Sequence, residues 1–152
     1  MVETTLSGAS HHILTNDYAS EWMGIEVLKL DDGHATIRMH LRQEMLNGFG
    51  MAHGGMIFAF GDTAFALACN PANPTPKQAA NITVASGVDI NFIKPAFQGQ
   101  VITAVANRRA STGRSGLYDI QIYAANADAA PDTEPGELIA EFRGRSRTIS
   151  KK

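Results

Sequence analysis

In the stretch LNGFGMAHGGMIFAFGDTAFALACN, Leu46 to Asn70, a single carboxylate, Asp62, stands in an otherwise apolar run. On a helix its neighbours three and four positions away are Phe58, Ala59, Phe65 and Ala66, and none of them can pair with it. Burying an unpaired carboxylate is costly and raises its pKa, so such a residue needs tertiary hydrogen bonds, a ligand or a chemical role. A structural carboxylate tied to a distant arginine or backbone amide and a catalytic one both meet that need.

The triplet His53-Gly54-Gly55 sits where this helix should begin. The first N–H groups of a helix lack internal partners and carry partial positive charge, and glycines let a substrate oxygen approach the backbone closely. The triplet therefore suits an oxyanion hole, and it equally suits a sharp loop-to-helix turn. Gly54 and Asp62 are eight residues apart, which is about 12 Å along a helix axis. Oxyanion donor and base must both touch the reacting group, so one helix cannot supply both. If the two share an active site, it spans a dimer interface, with Gly54 of one subunit facing Asp62 of another.

His53 can serve as a base or a positioning group, but the helix dipole repels added positive charge there, which suits a neutral capping histidine. Asn47 can orient a water or a carbonyl, or simply hold the Asn-Gly turn. Cys69 reads as an inert buried thiol. The histidines at 11, 12, 34, 40 and 53 form no compact ligand set, so neither metal nor cofactor is expected. Near the C-terminus Arg143, Arg145 and Arg147 alternate with Gly144 and Ser146, placing three guanidinium groups on one strand face. They suit a phosphate-bearing ligand tail, as do Arg108, Arg109 and Arg114, or a charged edge strand that resists pairing.

The elements that must carry these residues are legible in outline. The segment SHHILTNDYASEWMG predicts a short amphipathic helix ending near Gly24, with Ile13, Tyr18 and Trp22 along one side. Asp32-Gly33 joins two strands whose Ala35, Ile37, Met39 and Leu41 should share a buried face. From Gly54 a helix apolar almost all round should be buried. Four strands follow the Pro-rich loop NPANPTPKQ, and the loop DAAPDTEPGE precedes the last of them. This order is not a strand–helix alternation, and an α+β arrangement satisfies it: an antiparallel sheet wrapped around one central helix.

Composition narrows the partners. The 152 residues suit one domain over 1–152. A hydrophobic share of 44% against 18% charged mildly favours a homo-oligomer, and a net charge of −2 argues against nucleic acid. One cysteine fits a reducing compartment, and no apolar run reaches the roughly 18 residues a membrane span needs. A cytoplasmic location without membrane attachment is the expectation.

The helix block, followed by VDINFIKPAFQGQ, GLYDIQIYAA and FRGRSRTI, resembles the hotdog-fold acyl-CoA thioesterases of the phenylacetic acid degradation type, from about Tyr18 to Ile149. The resemblance implies a hotdog fold, sheet-continuous dimers paired into a tetramer, and hydrolysis of an acyl-CoA such as phenylacetyl-CoA or a ring-hydroxylated form. It maps carbonyl polarisation onto the Gly54 N–H and the nucleophile or general base onto Asp62 of the partner. His53 and Asn47 map onto residues that help place thioester and water, and Thr63 lies beside the carboxylate where a hydroxyl often assists. For binding substrate and CoA it implies Gly55, Lys94, Arg109 and Gly113. On the last strand it adds Arg143, Gly144, Arg145 and Ser146. The segments NPANPTPKQAAN and NADAAPDTEPGE look longer than in compact relatives, and GFGMA is less polar, which bears on the acyl pocket. Two rival readings are a hotdog enoyl-CoA hydratase or dehydratase and a non-catalytic acyl-CoA-binding protein.

Overall fold

The computed structural model describes residues 7–8, 10–128 and 135–151. In chain order its elements are β1 (Ser7–Gly8), α1 (Tyr18–Met23), β2 (Glu26–Asp31), β3 (His34–His40), α2 (Gly54–Cys69), α3 (Pro76–Ala79), β4 (Asn81–Phe92), β5 (Gln100–Thr112), β6 (Ser115–Asn126) and β7 (Glu137–Ser150). Single 3-10 turns occupy His12–Leu14 and Gln43–Met45. The strands form one sheet in the order β1-β2-β3-β5-β6-β7-β4, antiparallel except for the short β1–β2 pairing. The predicted hotdog arrangement of an antiparallel sheet around one long helix is the observed fold.

The β2–β3 hairpin forms because Gly33 takes φ +72°, which side chains other than glycine's rarely adopt. The alternation predicted for β3 holds, with Ala35, Ile37, Met39 and Leu41 buried. Those side chains meet Ile57, Phe60, Ala64, Phe65 and Leu67 of α2, joined by Ile102, Ile120, Ile122 and Phe142 from the later strands. Gly61 and Gly144 let helix and sheet approach: a Cβ on Gly144 would lie 2.7 Å from the Phe65 ring, and one on Gly61 2.9 Å from Phe142.

Three expectations change. α1 does end at Gly24, which closes it in the left-handed conformation, but its apolar side is not the predicted one. Tyr18 and Trp22 are exposed, while Ser20 and Met23 are buried. Trp22 instead lies under the Arg42 guanidinium, 4.2 Å from the ring centre. The Pro-rich loop contains α3, started by a Thr75/Gln78 capping box that the prolines hid. Finally, α2 is not buried all round. Gly55, Phe58 and Asp62 lie on a face left open in the protomer. The loop before β7 lies partly outside the described residues.

Candidate active site

The loop ahead of α2 is built to fix the helix start. Leu46 bridges to Ala52, and Met51 bridges to Phe97. The His53 N–H donates to the Met45 carbonyl at 2.8 Å. Asn47 braces the turn between them: its Oδ1 accepts the N–H groups of Phe49 at 2.8 Å and Met51 at 3.2 Å. The side-chain oxygen is thereby committed to the loop, and the Nδ2 amide has no acceptor among the described residues.

His53 is the N-cap of α2, and its Nδ1 accepts the Gly55 N–H at 3.0 Å. An acceptor Nδ1 is unprotonated, so the neutral ring carries its proton on Nε2. Glycine at 55 keeps that ring close, because a Cβ would stand 3.3 Å from Nδ1. With Gly55 capped, the Gly54 N–H has no acceptor among the described residues. The Phe92 ring at the end of β4 covers one side of Gly54, 3.3 Å from where a Cβ would be.

Two turns along, Asp62 has neither an ion pair nor a hydrogen bond among the described residues. It is solvent-accessible in the single protomer, yet enough protein surrounds it to strip part of its hydration. That desolvation raises its pKa above the ordinary carboxylate value, and the nearby charge of Asp17 adds to the rise. Beside it, Thr63 Oγ1 lies 3.0 Å from Ser20 Oγ of α1. Ser20 in turn donates to Asp17 Oδ2 at 2.8 Å. Sequence reading missed Asp17 and Ser20. The N-cap spacing of Asp17 before α1 was there to find, but a contact spanning 43 residues was not.

The predicted binding residues separate into groups. Arg143 and Arg145 lie exposed on the outer face of β7, paired with Asp119 at 2.7 Å and Asp89 at 3.3 Å. Arg109 also reaches Asp119, at 3.4 Å. Lys94 pairs with Glu137 at 2.7 Å, and Gly113 forms the β5–β6 turn with φ +58°. Gly144 and Ser146 occupy the alternate positions of β7 and are buried. Gly144 gives the Phe65 ring of α2 room, and Ser146 packs against Gly116.

A cavity of about 500 Å3 opens at the far end of α2, bordered by His11, Cys69, Asn70, Thr83 and Arg108; neither Gly54 nor Asp62 lines it. Burial pushes the Cys69 thiol up to about 12, which removes it as a nucleophile. Among the described residues no three His, Cys, Asp or Glu side chains gather as a metal site. Nor, among the described residues, is any helix long and apolar enough to cross a membrane.

A family model described as the thioesterase superfamily matches residues 49–129. Acyl-coenzyme A thioesterase PaaI of Escherichia coli (strain K12) is 34% identical over 92% of this chain and 89% of its own length. The chain belongs to the thioesterase superfamily. The solved structure of E. coli PaaI, from the phenylacetic acid degradation operon, superposes with TM-score 0.77 at 33% identity, covering 93% of this thioesterase and 91% of that chain. A point mutant of the phenylacetic acid degradation protein PaaI from Thermus thermophilus gives TM-score 0.72 at 28% identity, covering 86% and 98%. The matched region contains the whole of α2, so this thioesterase, a PaaI-type hydrolase of acyl-CoA thioesters, carries Gly54 and Asp62 within the segment that the family model matches.

Proposed function

We propose that this thioesterase hydrolyses an aryl or medium-chain acyl-CoA, of the phenylacetyl-CoA kind, at a site shared by two subunits. One observation carries the reading: the Gly54 N–H and the Asp62 carboxylate, each without a hydrogen-bond partner among the described residues, flank the half-exposed Phe58 on α2. Phe58 is the midpoint between them in sequence. A two-fold axis near Phe58 makes the helices antiparallel and sets each Gly54 opposite the partner's Asp62. β4, the outermost strand on this side, runs alongside with Ile82, Val84 and Phe92 partly exposed, and its open edge is suited to pair with its own copy.

In that arrangement the thioester oxygen accepts the Gly54 N–H at the positive end of α2. The partner's Asp62 takes a proton from water while the water oxygen bonds to the carbonyl carbon. Negative charge then collects on the carbonyl oxygen. When the carbonyl re-forms, the C–S bond breaks and the thiolate receives the proton, giving the free acid and CoA. His53 holds the helix start and offers its Nε2–H, and Asn47 holds the loop and offers its Nδ2. Exposed Phe92, beside Gly54, gives an aryl group apolar contact. Arg143, Arg145, Arg109 and Lys94 would exchange their carboxylate partners for CoA phosphates. A hydratase needs a histidine free to move a proton beside a carboxylate, and the Nδ1 of His53 is committed to Gly55.

Complementation tests the shared site. Gly54→Pro deletes the N–H at the first helical position, where proline is tolerated and where His53, at φ −64° and ψ 134°, already has a pre-proline conformation. Asp62→Asn deletes the base. Each variant alone should be inactive toward phenylacetyl-CoA while folded and oligomeric, and mixed oligomers should regain turnover at one intact site per dimer. Gly54→Ala, which keeps the N–H, controls for crowding against Phe92. Folded mixed oligomers without recovered turnover, or near-normal turnover in either variant alone, would overturn the reading.

A further inference from the structure

The hydroxyl of Thr63 has a fixed direction, and a residue on another element sets it. Asp17 caps α1 with Oδ1 accepting the Ser20 N–H at 3.1 Å, while Oδ2 accepts from Ser20 Oγ at 2.8 Å. A carboxylate can only accept, so the single hydroxyl proton of Ser20 is spent on Asp17. Ser20 is buried, and its Oγ, 3.0 Å from Thr63 Oγ1, is then the acceptor in that second bond. Thr63 must give Ser20 its only proton. To anything else beside Asp62, Thr63 presents a lone pair and no donor.

We propose that Asp17, acting through Ser20, is a positioning residue that fixes Thr63 as a hydrogen-bond acceptor and so orients the attacking water. The inference rests on the thioesterase reading with Asp62 as base. A water has two O–H donors, and the chain supplies two acceptors on neighbouring residues of α2: the Asp62 carboxylate, which removes one proton, and Thr63 Oγ1, which holds the other. With both protons engaged, the water's lone pairs are left to face the carbonyl carbon. A Thr63 that kept its proton would donate it to the water oxygen and blunt its nucleophilicity. The same arrangement favours attack by water over direct attack by the carboxylate, because a direct nucleophile has no use for the second acceptor.

Asp17→Asn reverses the network without uncapping α1, since Asn caps helices as well as Asp. The Ser20 N–H keeps the amide oxygen, which turns Nδ2 toward Ser20 Oγ. Ser20 must then donate to Thr63, and the Thr63 proton is released toward the site. The expected result is a fall in kcat of about tenfold with KM and Tm near wild type. Thr63→Val should show a similar loss and Thr63→Ser should rescue it. Because the charge of Asp17 also raises the pKa of Asp62, rates are compared on the pH plateau where Asp62 is ionised, and there Asp17→Asn should add nothing further in the Thr63→Val background. Additive losses, or an Asp17→Asn variant with unchanged kcat, would overturn the proposal.

A readout without turnover separates this from the functional reading. The Ser20 hydroxyl proton is shielded from exchange by burial, and its NMR resonance should lie downfield in the wild type and move upfield in Asp17→Asn. An unmoved resonance also overturns the proposal. A shifted resonance in a wild type that does not hydrolyse acyl-CoA would support the network and count against the functional reading alone.

Discussion

The imidazole of His53 holds the Gly55 N–H at 3.0 Å, and so the first N–H of α2, that of Gly54, is left without an acceptor among the described residues. His53→Ala removes the cap, and a lost N-cap costs about 1 kcal/mol. His53→Asn keeps an acceptor and should recover most of that loss. Urea unfolding of the two variants measures the difference. Turnover should fall in both, because neither returns the Nε2–H to the site.

Asp62 sets stability against activity. Its carboxyl holds its proton more tightly in the native protein than in the unfolded chain, because desolvation, reinforced by Asp17, disfavours the charge. Its contribution to stability is therefore full below the ordinary carboxylate pKa and is lost as pH rises through the raised native value. Asp62→Asn should be inactive yet melt higher than wild type near neutral pH, with the gap closing in the acid range. Thermal melts across pH, read beside thiol release, check both halves.

Phe58 marks the centre of the proposed subunit contact. Its ring lies 5.4 Å from that of Phe142 and is 37% exposed. Phe58→Asp puts a charge at the two-fold axis opposite its own copy, and association should weaken by at least about tenfold. Sedimentation should show smaller species, and activity should return as protein concentration is raised.

Arg143 and Arg145 make solvent-screened ion pairs on the outer face of β7, which add little to stability. Their substitution by Gln should therefore leave Tm nearly unchanged. If they bind CoA phosphates, KM for an acyl-CoA should rise by about tenfold while KM for the matching acyl N-acetylcysteamine thioester, which lacks the nucleotide, stays put. Equal effects on both substrates would point to a structural role.

How much of this was legible in the residues depends on how locally each feature is determined. The β2–β3 hairpin could be read because Asp32-Gly33 and the β3 alternation are local and agree. The reach of α2 could be read from its composition, and the eight-residue spacing of Gly54 and Asp62 already meant that any site using both would need a second chain. The face of α1 could not be read. Large aromatics at helical spacing suggested a buried stripe, but Tyr18 and Trp22 face outward because Ser20 and Met23 are what fit against α2 and the sheet. The strand period put the arginines on one face, yet their partners Asp89 and Asp119 are set by registers between β4, β6 and β7 that no single segment encodes. The coupling of Ser20 to Thr63 is likewise purely tertiary.

The strand order has a consequence for how the protein comes to exist. β5, β6 and β7 follow one another along the sheet, and β2 and β3 close through a tight turn, but these two blocks meet only through β3 and β5. The chain between those partners contains α2 and also β4, which travels to the opposite edge to lie against β7. Closing so long a loop is slow relative to zipping neighbours. The topology therefore predicts that the segment bearing Gly54 and Asp62 is pinned late, so that conservative substitutions in α2 should speed unfolding more than they slow folding.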